Sequence, residues 1–330
     1  MIALKLVHSN KLTLVGKKNY INPLVKNEPI EGVLFVDFIL KTVDRKVKRK
    51  GETYRKNFQT LIFHLNHFSS LYDVDIFTNS VNEEFLDDFI TYLEKKELKL
   101  NYIKNLLSLV KSMIKKAGQL GYAVDKTYDM VEIEGEVPFS VFLSIIEIAR
   151  IYYFIGLTEK QERIKDLFVV GCMTGLRYSD YSTLTNNNFD GDFINKITKK
   201  TRTKVSIPIS DFVNEIFEKY DGEISTGLSI QHFNRYIKHI CKKIGLNQTI
   251  KFSYTKGGKI INETKEKWEL ISSHTARRSA AINMYLTGRM NTYEIMAITG
   301  HTTEKSFFKY IKITKENTVK RIAGDNFFRI

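Results

Sequence analysis

Read as a pattern of apolar and polar positions, the chain opens without a sustained period. Its first forty residues set short β-prone runs, KLTLVG and GVLFVDFIL, among turn residues, and predict a short arm or a strand-bearing extension over 1–43. A helical period then begins. Tyr54, Phe58, Leu61, Ile62, Leu65 and Phe68 recur at the spacing of one helix face, just after the basic run DRKVKRKGETYRK. The segment SVNEEFLDDFITYLEKK predicts a second helix, with Ser80 and Glu83 at capping-box spacing before Phe85, Leu86, Phe89, Ile90 and Leu93. A third runs through Ile103, Leu106, Leu107, Val110 and Ile114 and stops near Gly118 or Gly121. Together they predict a compact helical domain over 44–126.

The acidic stretch around Gly135 and Pro138 interrupts the periodicity and predicts a linker over 127–138. Beyond it, FLSIIEIARIYYFIG and QERIKDLFVVGCMTG predict two helices opening a second domain, 139–330. DFINKITKKTRTKVSIPIS predicts a strand pair around a lysine-rich turn, with Pro208 marking an edge strand. From about residue 211 the patterns are mainly helical. The fold class expected is mainly α with a small β-sheet.

Charge narrows the partner class. With 51 Lys+Arg against 37 Asp+Glu the net charge is +14, which favours a polyanion: nucleic acid or an anionic membrane surface. No stretch has the roughly 18 apolar residues of a membrane span, and no secretory signal opens the chain, so the cytoplasm is the expected location. The two cysteines, Cys172 and Cys241, form no C-x-x-C pair and no metal or disulfide framework is expected. The basic residues Lys48, Arg49, Lys50, Arg55 and Lys56 lead into an amphipathic helix and are candidate contacts for a phosphate backbone; a solvated polar face is the alternative.

Candidate chemistry gathers in three later stretches. In TGLRYSD, Arg177 follows Gly175 at a predicted helix end, with Asp180 three residues on. A guanidinium fork matches a phosphate, and the carboxylate would hold the fork; a surface salt bridge is the alternative. In SSHTARRS, Ser272 or Ser273 caps a helix whose first turn carries His274, with Arg277 on the same face at i+3. In GHTTEKSFFKYI, His301 follows Gly300 and Tyr310 lies on a helix that Thr302 or Thr303 can cap. A phenol is a weak nucleophile at neutral pH, and surrounding cations would favour its phenolate.

The order of these pieces, an arginine in TGLRYSD, a lysine in a β-turn, H-x-x-R, then G-H and a tyrosine nine residues later, resembles the tyrosine recombinase (phage integrase) family, in particular integrases of mobile elements in Bacteroidetes-like bacteria. The resemblance implies a helical SAM-like core-binding domain followed by a mixed α+β catalytic domain. It also implies that Arg177 and Arg277 clamp the scissile phosphate, that His274 is general base and phosphate ligand, and that Tyr310 is the nucleophile. His301 would donate to a non-bridging oxygen or buttress the site, and Asp180 would support Arg177. The family's turn lysine, which protonates the leaving 5′-oxygen, falls among Lys199, Lys200 and Lys204. The K-T-G pattern selects Lys200, although Arg202 stands where the glycine is usual.

Such an enzyme would need no cofactor and no metal. It would form a tetramer on double-stranded DNA, its two domains clamping the duplex, with accessory DNA-bending or directionality proteins as possible partners and no membrane. The tail residues Phe327, Phe328 and Ile330 would dock on a neighbouring protomer or on their own domain. The alternatives are a catalytically silent DNA-binding protein of the same fold and a type IB topoisomerase.

Overall fold

The computed structural model describes residues 31–312. The expectations for the arm within residues 1–30 and for Phe327, Phe328 and Ile330 lie outside the described residues. The chain divides into two compact units, one running to residue 136 and including 255–259, the other comprising 137–254 and the residues from 260 onward.

The first unit is built on four helices, α1 Phe35–Lys50, α2 Glu52–Tyr72, α3 Glu83–Lys95 and α4 Leu100–Gln119. Most of the run GVLFVDFIL, from Phe35 on, is helix and not strand, and only Leu34 keeps a strand-like contact, an isolated antiparallel bridge to Phe77. Phe35, Phe38, Ile39 and Val43 line one face of α1 and are buried in the unit's core, and that burial outweighs their β propensity. The helical domain therefore starts near residue 34, ten residues before the expected boundary. The basic run is also divided differently. Lys48, Arg49 and Lys50 form the last turn of α1, where cations suit the helix dipole. Gly51, at φ 83°, breaks the chain, and Arg55 and Lys56 open α2. All five side chains are exposed. Helix α3 starts at Asn82, whose Oδ1 accepts from the Phe85 amide at 2.9 Å, while Ser80 closes a turn with Phe77 instead of capping the helix.

The second unit runs α5 Ile145–Tyr152, α6 Glu159–Thr174, α7 Tyr178–Tyr181, strands β1 Phe189–Asp190, β2 Phe193–Ile197 and β3 Lys204–Pro208, then α8 Asp211–Lys219 and α9 Ile230–Lys243. Strands β4 Thr249–Lys256 and β5 Lys259–Glu266 follow, then α10 Lys267–Leu270, α11 Ser273–Leu286, α12 Thr292–Thr299 and α13 Glu304–Ile311. The sheet β1–β2–β3 is antiparallel, with Ile194 opposite Ile207 and Pro208 on the edge strand as expected. The β4–β5 hairpin contradicts the mainly helical expectation after 211. Its strands bury no residue fully, so lysine and threonine dilute the alternation, and the two-residue link Gly257–Gly258 is the one strong hairpin signal.

Helix α6 is the axis of this unit. It is buried from Ile164 through Cys172, so no amphipathic stripe survives in its sequence. Helix α11 packs against it through a face kept small by Ala276, Ser279 and Ala280. Ser279 Oγ accepts from the Leu143 amide and Asn283 Nδ2 donates to the Leu143 carbonyl, which anchors α11 to the start of the unit. Just before α11, Lys267 Nζ donates to both carboxylate oxygens of Glu147, at 2.6 and 2.8 Å, and ties α10 to α5. Among the described residues no helix is long and apolar enough to cross a membrane.

Candidate active site

Helix α6 ends because Gly175 takes the left-handed conformation, φ 67°, and turns the chain into Arg177, which heads α7. The Gly175 carbonyl accepts from Arg277 Nη1 at 2.8 Å. Arg277 reaches it from the second turn of α11, whose start is fixed by a capping box between Ser272 and Thr275 and by the Ser273 amide donating to Asn234 Oδ1 at 2.7 Å. His274 and Arg277 stand one helical turn apart on α11. Arg277 is only 1% exposed, and among the described residues no carboxylate lies within ion-pairing distance of it. Arg177 Nη1 is likewise buried, and it has no hydrogen-bond partner.

Gly300, again left-handed, ends α12 and places His301 against Arg277. Thr303 caps α13 with its hydroxyl accepting from the Ser306 amide. Phe307 and Ile311 then anchor α13 in a small core with Ile282, Tyr285 and Ile295. Tyr310, partly buried beside that core, lies 5.2 Å between ring centroids from His274 and 5.1 Å from His301. The guanidinium carbons of Arg277 and Arg278 lie 5.8 and 5.1 Å from its ring centroid, and its hydroxyl donates to the His274 carbonyl at 3.3 Å. The structure thus brings His274, Arg277, His301 and Tyr310 together, and the charge of Arg177 acts on all four.

Hydrogen accounting fixes the state of His301. The single Thr299 hydroxyl proton goes to the Ile295 carbonyl at 2.7 Å, so Thr299 accepts from His301 Nδ1–H at 2.8 Å. Nε2 then bears the lone pair that accepts from Arg277 Nη2 at 3.3 Å. In this arrangement His301 buttresses Arg277 and has no proton on Nε2 to donate.

Protonation follows from crowding cations into a partly dry site. Desolvation, then the charges of Arg278, Arg277, Arg177 and Lys200, pull His274 down to about 4, although the residue as a whole is exposed. Burial and the charges of Arg277 and Arg177 pull His301 down to about 3. Arg277 falls to about 10 through burial and repulsion from Arg177. Tyr310 departs from the sequence expectation. Burial raises its phenol above the ordinary value, and the opposing pull of Arg277, Arg278 and Arg177 does not reverse this, so at neutral pH the phenol is protonated and needs a base.

Both histidines are neutral in the fold where a free histidine, with pKa about 6.5, takes up a proton. The unfolded chain therefore binds more protons between about pH 6.5 and the folded values of about 4 and about 3, and stability falls as pH falls through that window. Thermal unfolding across this range is expected to show a shallower loss in His301→Gln than in the wild type. Equal slopes would show that His301 is not held neutral.

The turn between β2 and β3 carries the lysines. Lys199, Lys200 and Lys204 are exposed, and the charge of Lys200 is among those that lower His274. Arg202 adopts φ 56°, the conformation a glycine would supply, so the turn keeps its shape despite the substitution. Asp180 differs from its expected role. Its Oδ1 accepts from the Lys199 amide at 2.9 Å and it forms no ion pair with Arg177, so it supports the lysine turn instead of the arginine. Lys48, Arg49, Lys50, Arg55 and Lys56 belong to the helical unit.

Sequence reading missed Thr299, which orients His301, and the Gly175 carbonyl, which receives Arg277. The left-handed Gly175 offered a signal for the second. A Cβ there would stand 3.1 Å from Thr299 Cγ2 and 3.3 Å from Ala280 Cβ, on top of the backbone strain. Gly175→Ala is expected to lower stability by about 1–3 kcal/mol in urea unfolding and to slow any reaction that uses Arg277.

Residues 34–134 match the phage integrase SAM-like domain family. No curated protein matches the chain by sequence. Among solved structures, a lambda integrase dimer bound to a COC′ core site is similar over 85% of this chain and 78% of that chain, at 15% identity and a TM-score of 0.63. The Tn1549 transposon integrase in complex with a circular intermediate DNA is similar over 87% of this chain and 98% of that one, at 15% identity and a TM-score of 0.64. XerH site-specific recombinase bound to its palindromic difH substrate is similar over 86% and 83%, at 13% identity and a TM-score of 0.60.

Proposed function

We propose that this chain, which has the tyrosine recombinase fold with a phage integrase SAM-like domain, is a site-specific DNA recombinase, an integrase of a mobile element. The observation that carries the reading is the convergence of a buried Arg277 and a half-buried Arg177, neither in an ion pair among the described residues, on a tyrosine and two neutral histidines. Cations pressed together in this way suit an anion that bridges them, and a phosphodiester fits a pair of guanidinium forks. The solved structures of similar fold are complexes with DNA, which supports the same substrate class.

In the proposed reaction Arg177 and Arg277 hold the non-bridging oxygens of the scissile phosphate, with His301 keeping Arg277 in place. The Tyr310 oxygen attacks phosphorus while its proton passes to the neutral imidazole of His274. The bond from phosphorus to the 5′-oxygen breaks, and that oxygen takes a proton from Lys200. A 3′-phosphotyrosyl link and a free 5′-hydroxyl result. The guanidinium groups stabilise the charge that builds up on the phosphoryl oxygens. Attack by an incoming 5′-hydroxyl reverses each transfer and restores the protein, so the phosphate bond energy is conserved and no nucleotide is consumed.

The exposed cations at the α1–α2 junction are the proposed backbone contacts of the SAM-like domain, and a tetramer on two DNA sites is the proposed working assembly. A nicked duplex carrying the ends of the encoding element, incubated with the protein in EDTA, tests the function. A covalent protein–DNA band on a denaturing gel is expected. Specific binding to that duplex with no covalent band would replace this reading by a catalytically silent DNA-binding protein.

A further inference from the structure

Arg278 follows Arg277 on α11, but a 100° step round the helix gives it different work. Arg277 faces the Gly175 carbonyl and His301, whereas Arg278 faces Tyr310 itself. Its Nε–H donates to the Tyr310 carbonyl at 3.2 Å, and its guanidinium carbon lies 5.1 Å from the Tyr310 ring centroid, nearer than that of Arg277. Tyr310 is in the last turn of α13, which ends at Ile311, so its carbonyl has no intrahelical donor. Arg278 supplies one, and its charge also stands at the helix end that favours a cation.

We infer that Arg278 is a positioning residue for the nucleophile, bracing Tyr310 by holding its carbonyl from one side while lying over its ring. This rests on the proposed function in assigning Tyr310 as the nucleophile. Two functions are combined in one side chain. The hydrogen bond fixes where the last turn of α13 sits, and the cation over the ring favours the ionised phenol against the burial that opposes it. A second tether at the same place limits what else could hold the helix. Lys312, in the left-handed residue that ends α13, donates from Nζ to Ser140 Oγ at 2.9 Å, so it fixes the residue after the helix but touches neither the carbonyl nor the ring of Tyr310. Lysine would not replace Arg278. It brings a point charge without an in-line Nε–H, so it preserves the electrostatic effect and loses the carbonyl contact.

Arg278→Gln and Arg278→Lys separate the two functions. The first readout needs no DNA: NMR titration of ring-labelled tyrosine, with the Tyr310 signal identified by its loss in Tyr310→Phe. The Gln variant is expected to ionise Tyr310 at higher pH than the wild type, and the Lys variant close to the wild type. The second readout is single-turnover cleavage of the nicked duplex across about pH 6–10. The Gln variant is expected to cleave about 10–100-fold more slowly, with its rate rising at higher pH than the wild type's. The Lys variant is expected to lose rate with an unmoved pH profile, and both are expected to bind DNA within about threefold of the wild type.

An unshifted Tyr310 titration in the Gln variant, or cleavage within twofold of the wild type, overturns the inference. Loss of DNA affinity in parallel with rate overturns it as well, since Arg278 would then be a phosphate contact. Should the Gln variant fail to fold, the Lys variant decides: cleavage at the wild-type rate excludes a positioning role. If the wild type itself forms no covalent band, the function fails while the titration still judges Arg278.

Discussion

Tyr310→Phe is expected to abolish the covalent protein–DNA adduct while leaving DNA binding within about twofold and stability within about 1 kcal/mol of the wild type. The substitution removes a single oxygen. In the folded chain that oxygen donates one long hydrogen bond, 3.3 Å to the His274 carbonyl, and stands within hydrogen-bonding reach of the Arg277 guanidinium, whereas the ring packs against His274, His301 and Arg278 and these contacts survive in phenylalanine. Structure is thus nearly indifferent to the hydroxyl, and the proposed chemistry depends on it completely. No other side chain can take over without rebuilding α13, because Phe307 and Ile311 fix which residue of the helix faces the cluster. The expected fall in cleavage is at least about 10⁴-fold, read as the covalent band on a denaturing gel.

The second large effect separates stability from function. Arg277 is 1% exposed and sits close enough to Arg177 for the two charges to repel, which together with burial lowers its pKa to about 10. Burying a cation without a carboxylate partner is costly, and a well-packed apolar side chain of similar volume often restores or exceeds the original stability. Arg277→Met is accordingly expected to unfold in urea at a concentration equal to or above the wild type's, and to cleave at least about 10³-fold more slowly. Arg277→Lys is expected to recover little of that rate. A lysine cannot both reach the Gly175 carbonyl and present a fork to phosphate. A Met variant that cleaves normally would mean that the buried cation serves the fold alone.

How much of this was legible in the sequence depended on whether the governing interaction was local. Arg177, His274, Arg277, His301 and Tyr310 stand in short motifs with helix caps and glycines beside them, and each cap proposed for α11 and α13 has a counterpart in Ser272 and Thr303. Lys200 was selected by a turn pattern, and the left-handed Arg202 explains why the pattern tolerates a missing glycine. What local pattern could not convey were the partners brought by the fold. Asp180 is three residues from Arg177 yet bonds to the Lys199 amide, nineteen positions away. Tyr310 was expected to lean toward phenolate because its cations are visible in sequence, whereas its burial is not, and burial wins. GVLFVDFIL has strand composition, yet from Phe35 it forms the start of α1 because the helical unit needs Phe35, Phe38 and Ile39 on one face.

The central claim is that Tyr310 becomes covalently joined to DNA. Wild-type protein should be trapped on the nicked duplex, digested with trypsin and nuclease, and analysed by mass spectrometry. The account predicts one modified peptide, a phosphate bearing a 3′-linked nucleotide on Tyr310. A nucleotide attached to a different residue, or a free 3′-phosphate with unmodified protein after cleavage, would contradict it.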